Sequence, residues 1–462
     1  MEENDEINTN AGAGAVNTRE IILDMLMEIC EKGAYSHIVL RQTLRKYQYL
    51  DKRDRAFITK ITEGTIENRI LIDYIIDKFS NVKVKKMKPL IRNLLRMSVY
   101  QLMYMDSVPV SATCNEAVKL AIKRSFGQLR GFVNGVLRAV IRNKDEIKYP
   151  NASENLIEYL HVVYSMPQWI VEQLIVQYGA EEASRMIKAM ANHEESICVR
   201  ANTSKDSVEN IIQKLKCEDI KVEQSTVYAN CLYLENVDYI EGLETFNEGL
   251  ISVQDLSSML VAVIANPKQG DLCMDLCAAP GGKALHLWEI MGGKGKVIAR
   301  DISEYKVSLI EENIQRTEAD GIEAEVHDGT ILDDKYIEKA DVVIADLPCS
   351  GLGIIGKKSD IKYNITAEMQ KDLVKLQKDI LKNAWQYVKV GGTLVFSTCT
   401  LNKEENIENV RFIEDNFPLK LVDISTYVPK DFGQNTAKDG YIQMLPGIDG
   451  TDGFFISRFE RY

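Results

Sequence analysis

No apolar run in the 462-residue chain approaches the roughly 18 residues that a membrane-spanning helix needs. The opening stretch "MEENDEINTNAGAGAVN" lacks the basic-then-apolar order of a secretory signal, so a cytoplasmic protein is expected. Histidine is scarce, with five in all, and neither His nor Cys falls at zinc spacing, so no metal site is expected. The nine cysteines are odd in number and thinly spread, and only Cys273 and Cys277 lie close in sequence. That pattern suits reduced thiols better than a disulfide framework. A Walker A loop would need Gly where Cys277 stands and Ser or Thr where Ala284 stands, and a G-x-G-x-x-G fingerprint is also missing, which disfavours a phosphate-cradling ATPase and a dinucleotide enzyme.

The net charge of −12 would argue against a nucleic-acid partner, but it averages over two unlike parts. Residues 1–150 hold 25 Lys+Arg against 18 Asp+Glu (+7), and residues 151–462 hold 31 against 50 (−19). A basic segment on an acidic body provides a local field suited to polyanions. Its basic clusters are Lys83, Lys85, Lys86 and Lys88, and separately Lys119, Lys123, Arg124, Arg130 and Arg138.

Periodicity divides the chain further. Residues 1–16 read as a disordered tail. Residues 17–145 carry apolar residues at three- and four-residue spacing and read as an all-α domain. Residues 146–195 begin with a polar break around Pro150 and continue as a helical connector, with Pro167 placed to open a helix. Residues 196–255 alternate short β-like runs with one helix at 205–216, which suggests a small α+β subdomain. From 256 to 462 the order is strand then helix, with "LCMDLC", "GKVIARD", "EAEVHD", "ADVVIADL" and "GGTLVFST" as buried strands of a doubly wound parallel sheet.

Ligands of such sheets bind at the carboxyl ends of the strands. Cys277, Ala278, Ala279, Pro280, Gly281, Gly282 and Lys283 form a glycine-rich turn between the first of these strands and a helix. Asp301 ends the next strand, where it could accept from both ribose hydroxyls. Asp328 follows the third and could accept from an adenine amino group, and Asp346 closes the fourth over a reaction centre. This series fits a cofactor with an adenosine and a charged amino-acid tail.

"DLCAAPGGK", "DLPCSGLG" and "STCT" followed by "EEN", in that order and at strand ends, resemble the RNA 5-methylcytosine methyltransferases that use S-adenosylmethionine. "NEAVKLA" and "FVNGVLRAV" resemble the fold of the antitermination factor NusB and point to the RsmB/Sun branch, which modifies small-subunit (16S) ribosomal RNA. The resemblance implies three parts: a NusB-like RNA-binding domain, a small α+β RNA-binding subdomain and a Rossmann-like methyltransferase domain. It also implies a covalent mechanism. Carbon 5 of cytosine is a poor nucleophile, and a thiolate adding to carbon 6 activates it. In the related RNA enzymes the cysteine of the TC motif, here Cys399, attacks, and the proline-linked cysteine, here Cys349, helps release the product. DNA cytosine methyltransferases use the proline-linked cysteine to attack, an assignment that sequence alone leaves open. Cys399 is expected just before a helix starting near Asn402, whose N-terminus would favour a thiolate. Asp346 would hydrogen-bond ring nitrogen 3.

The target base must leave its stack, which favours single-stranded or loop RNA. Lys357, Lys358 and Lys362 follow Cys349 and are expected to meet phosphate, although relatives often have Arg-Arg-x-Pro-Asp-Ile-Lys here. Arg200 and Asn202 match the family's R-x-N and are expected to contact RNA. Phe454 and Phe455 read as sheet core. Two alternatives are a transfer RNA cytosine methyltransferase and a non-catalytic RNA-binding or assembly protein. The helical extension counts against the first and the intact site against the second.

Overall fold

The computed structural model describes residues 16–192, 196–430 and 432–462. All but the last residue of the expected disordered tail lies outside them. The chain forms two compact units, Met1–Asn151 and Ala152–Tyr462.

The first unit is helical throughout, with seven α-helices among the described residues. Pro89 opens the helix Pro89–Tyr104 at a position where its missing N–H costs nothing. That helix buries Ile91, Leu94, Leu95, Met97 and Val99 against its neighbours. Its buried polar groups are satisfied: Arg96 holds the Asp73 carboxylate with two bonds of 2.7 Å, and Asn93 donates to Glu31 at 2.7 Å.

The second unit starts with three helices, Leu156–Val163, Gln168–Tyr178 and Ala180–Ala191. Pro167 stands at the N-cap of the second. An antiparallel sheet follows, of β1 (Ile197–Ala201), β2 (Lys221–Gln224), β3 (Cys231–Glu235) and β4 (Ile251–Val253), in the order β2-β3-β1-β4. The helix Val208–Cys217 covers one face through Ile211 and Leu215. It starts three residues later than the sequence suggested, because Ser207 caps it by accepting from the Asn210 N–H.

The large sheet contains β5 (Leu272–Asp275), β6 (Lys296–Asp301), β7 (Ile322–Val326), β8 (Ala340–Asp346), β9 (Val388–Thr398), β10 (Leu419–Leu421), β11 (Tyr441–Met444) and β12 (Phe454–Arg461). Its order is β10-β12-β9-β8-β5-β6-β7, with β11 also on β12. β5 to β9 pair in parallel, and β12 runs antiparallel to β9. The chain builds outward from β5 through β6 to β7, then crosses back to place β8 on the other side of β5. The strand order therefore reverses between β5 and β8, where an open α/β sheet leaves a crevice. The expected Rossmann-like architecture is present, with an antiparallel edge added by the C-terminal strands. Phe454 and Phe455 are buried in that edge as core residues.

Candidate functional site

The crevice is built from the β5 and β8 ends. After β5 the chain turns through Leu276–Gly281 into the helix Gly282–Ile290. Gly281 has φ +105, a left-handed conformation, and a Cβ there would come 3.3 Å from the Ile310 side chain. Ala278 donates to the Arg300 carbonyl at 2.8 Å, and Ala279 donates to Asp301 at 3.0 Å, so the loop is fixed to the end of β6. Asp301 is buried and also accepts from the Ile302 N–H and Lys306. Asp328 lies just past β7 and accepts from the Thr330 N–H and hydroxyl, which hold its pKa below the ordinary value.

Asp275, the last residue of β5, was not singled out by the sequence. It is fully buried, and neither carboxylate oxygen has a hydrogen-bond partner among the described residues. The nearby Cys277 amide favours its anion without closing a hydrogen bond of normal geometry. Burial pushes its pKa up to about 7, against the pull of Lys283. An unpartnered carboxylate beside a glycine turn, with Asp301 on the adjacent strand, suits a ligand that carries both a cationic amino group and a ribose. The residues present therefore fit the cofactor expected from the sequence.

Asp346 and Ser397 are register partners on the adjacent strands β8 and β9. The Ser397 hydroxyl donates to Asp346 at 2.7 Å. Cys349 and Cys399 follow them, and their Sγ atoms lie 3.1 Å apart. Lys283 enters from the glycine loop and meets Asp346 at 2.7 Å, with its ammonium 5.6 Å from the Phe454 ring centroid. Burial opposes its charge, but Asp346, Asp275 and Cys399 more than compensate and raise its pKa. The Cys349 thiol is pushed well up by its contact with the Cys399 sulfur, by burial and by the charge of Glu405. The Cys277 thiol is also raised, by burial first and then by Asp301, Asp275 and Asp346. The helix after Cys399 begins at Ile407, not near Asn402, because residues 403–406 form a turn. Its N-terminus does not act directly on Cys399, and the nearby positive charge is Lys283.

The expected RNA contacts need correction. Arg200 is 0% exposed. It forms a two-pronged ion pair with Glu289 at 2.8 and 2.7 Å and donates to the Gly282 carbonyl at 3.0 Å. Asn202 is 2% exposed and donates to the Gly249 carbonyl. Both tie the small sheet to its surroundings and are closed to phosphate. Lys357 is held between Asp255 at 2.5 Å and Asp452 at 2.8 Å. Lys362 is 3% exposed. Lys358 is half-buried and forms no ion pair among the described residues. In the first unit, Lys119 pairs with Glu116, Lys123 with Glu20, and Arg124 with Glu20 and Asp24. Those three are neutralised, whereas Arg130 and Arg138 of the same cluster are exposed and form no ion pair among the described residues. By contrast Lys83, Lys85, Lys86 and Lys88 are exposed around the buried anchors Val84 and Met87, and of these four only Lys83 forms an ion pair among the described residues, with Asp77 at 3.7 Å.

No group of three or more His, Cys, Asp or Glu side chains suited to a metal ion occurs among the described residues. No helix among them is long and apolar enough to cross a membrane.

Residues 262–460 match the family model described as 16S rRNA methyltransferase RsmB/F. Residues 16–142 match the NusB family, and residues 166–239 match the ferredoxin-like domain of RsmF/B-like methyltransferases. The chain is 34% identical, over 96% of its length and 99% of the relative's, to the probable ribosomal RNA small subunit methyltransferase B of Bacillus subtilis. The crystal structure of PH0851 superposes with a TM-score of 0.82 at 26% identity, covering 97% of this chain and 99% of that one. NSun6 from Pyrococcus horikoshii with SFG gives 0.58 at 23% identity, covering 64% of this chain and 98% of that one, a likeness of fold.

Proposed function

Since the chain belongs to the 16S rRNA methyltransferase RsmB/F family and its cofactor is S-adenosylmethionine, we propose that it forms 5-methylcytosine in 16S ribosomal RNA through a covalent bond from Cys399. The observation that carries this reading is the pair of thiols 3.1 Å apart at the ends of adjacent strands, beside the Lys283–Asp346 ion pair.

Two thiols that close cannot both ionise, and their surroundings differ. The Lys283 charge interacts with Cys399, whereas the Glu405 charge opposes ionisation of Cys349. The asymmetry keeps the proton on Cys349 and leaves Cys399 as the sulfur that attacks. The chemistry drawn from bound S-adenosylmethionine is one electrophilic methyl group. The Cys399 sulfur adds to carbon 6 of the base as its thiol proton passes to ring nitrogen 3, and Asp346 accepts a hydrogen bond from the protonated nitrogen. Cys349 serves release, in which carbon 5 gives up its proton to solvent, the bond from carbon 6 breaks with its electron pair returning to Cys399, and ring nitrogen 3 returns the proton it had taken up. The base is taken from a single-stranded or loop segment. Lys358, Arg130, Arg138 and the exposed Lys83–Lys88 cluster are the remaining candidates for phosphate contact.

Bisulfite sequencing of 16S rRNA from cells lacking the gene tests the reading. A protected cytosine should become convertible and regain protection when a plasmid copy is supplied, whereas an unchanged map overturns the ribosomal assignment. Cys399→Ala should abolish transfer while keeping cofactor binding, and Cys349→Ala should accumulate a protein–RNA adduct on a denaturing gel. Exchanged outcomes would reverse the two roles.

A further inference from the structure

Glu405 lies in the turn that follows Cys399, and its carboxylate is fully buried. Oε2 accepts from the Ser350 N–H at 2.8 Å and from Gln377 Nε2 at 3.1 Å. Oε1 accepts from the Ser350 hydroxyl at 2.5 Å and from Asn402 Nδ2 at 3.1 Å. The same Gln377 amide donates to the Pro348 carbonyl at 2.8 Å, and its oxygen accepts from Asn409 at 2.8 Å. A final link joins the Ser350 and Thr400 hydroxyls at 2.7 Å. The residues on either side of Cys349 are thus bonded into a network centred on a charge from the loop of Cys399. The Cys349 side chain takes no part in that network and contacts Cys399.

A buried carboxylate without a cation is costly, and neutral side chains could tie two turns together at lower cost. No Lys or Arg forms an ion pair with Glu405 among the described residues. Four donors converge on it instead, and all of them belong to the two cysteine-bearing turns or to the helix that braces one of them.

We propose that Glu405 is a positioning residue for the release step: it holds the Cys349 turn against the Cys399 turn, so that the second thiol stays within reach of the adduct formed by the first. The inference rests on the roles given to the cysteines above. Burial raises the Glu405 carboxyl, while its four hydrogen bonds favour the anion, and that anion in turn helps to keep the proton on Cys349.

The test uses the full chain with S-adenosylmethionine and a 16S rRNA fragment, and measures the ratio of covalent adduct to released methylated RNA. Glu405→Ala should raise that ratio about tenfold or more, since displacing a reacting group by about 1 Å can cost 10²-fold. Glu405→Gln should raise it too, because its amide would face Asn402 or Gln377 as a second donor. Asn402→Asp combined with Glu405→Gln exchanges donor and acceptor and should lower the ratio again. A purely structural role predicts that adduct and product fall together, with the ratio unchanged in all three variants, and that result overturns the inference. Cys349→Ala is run alongside. Adduct from Cys349→Ala with none from Glu405→Ala sinks the inference alone; no adduct from either sinks the cysteine roles, and the inference falls with them.

Discussion

The Lys283 ammonium lies 2.7 Å from the Asp346 carboxylate, so a side chain from the glycine-rich turn after β5 reaches the end of β8. Lys283→Met keeps much of the stem but leaves Asp346 without its counter-charge. Single-turnover methyl transfer should fall about 10²-fold or more, the usual loss when a group that stabilises developing charge is removed. Cofactor affinity by titration calorimetry should change much less. If affinity collapses and transfer recovers at saturating cofactor, Lys283 is a cofactor ligand after all.

Asp275 makes the site sensitive to pH in two opposing directions. Its pKa is about 7 in the folded chain, against an ordinary 3.8. Between those values the folded state binds more protons than the unfolded one, so this group's contribution to stability declines as pH rises through the window. A ligand ammonium needs the carboxylate ionised, so cofactor affinity should climb over the same range and level off above about pH 7. Calorimetric titrations and urea melts of the ligand-free protein from pH 5.5 to 8.5 measure both trends, and Asp275→Asn should flatten both. Parallel slopes would exclude Asp275 as the source.

Much of this architecture is legible in the chain itself. The five parallel strands show as short apolar runs separated by helical periodicity, and the two cysteines stand at strand ends that motif spacing identifies. What escapes is long-range pairing. Glu405 and Ser350 are 55 residues apart, and nothing local marks one as the other's partner. Asp275 reads as an ordinary strand end until the surrounding fold denies it a donor. Arg200 and Asn202 mislead for a physical reason: β1 is buried along nearly its whole length, so an Arg200 side chain that alternation would send to solvent is enclosed, and Asn202, just past β1, is closed in by its bond to the Gly249 carbonyl. The helices 156–191, set apart as a connector by the polar break, share a core with Leu352, Leu401 and Leu445. There Tyr178 donates to the Leu401 carbonyl at 2.7 Å, bracing the segment after Cys399.

The enclosure of Arg200 is itself testable. Arg200→Met strands the Glu289 carboxylate in the interior and should cost about 3–5 kcal/mol, read from denaturant unfolding. The Arg200→Met, Glu289→Met double variant should recover most of that loss. RNA affinity of the double variant, measured by filter binding at two salt concentrations, should match the parent. A large loss of affinity in a well-folded double variant would return Arg200 to the RNA interface.

Gly353 and Gly453 pack main chain against main chain. A Cβ on Gly353 would fall 1.8 Å from the Gly453 carbonyl oxygen, and one on Gly453 would fall 2.7 Å from the Gly353 Cα. Gly353→Ala should destabilise by about 3 kcal/mol or more, at the upper end of overpacking costs. Gly135→Ala makes a good control, since its Cβ meets nothing within 4 Å in the helix Arg130–Arg142. It should be neutral or slightly stabilising. Equal urea midpoints for the two variants would show that the backbone contact is absent in solution.

The same contact constrains how this enzyme can diverge. The Gly353 N–H bonds the Cys399 carbonyl at 3.1 Å, and the Gly453 N–H bonds the Gly353 carbonyl at 2.9 Å, stitching together three stretches of chain that are distant in sequence. An insertion or deletion between Cys349 and Gly353 would slip every one of those stitches at once, whereas the Lys357 and Lys358 N–H groups bond locally, to the Ile354 carbonyl, and Lys357 reaches distant residues through its side chain. Variation among homologues should therefore appear as changed length beyond Gly356 and as fixed length before it.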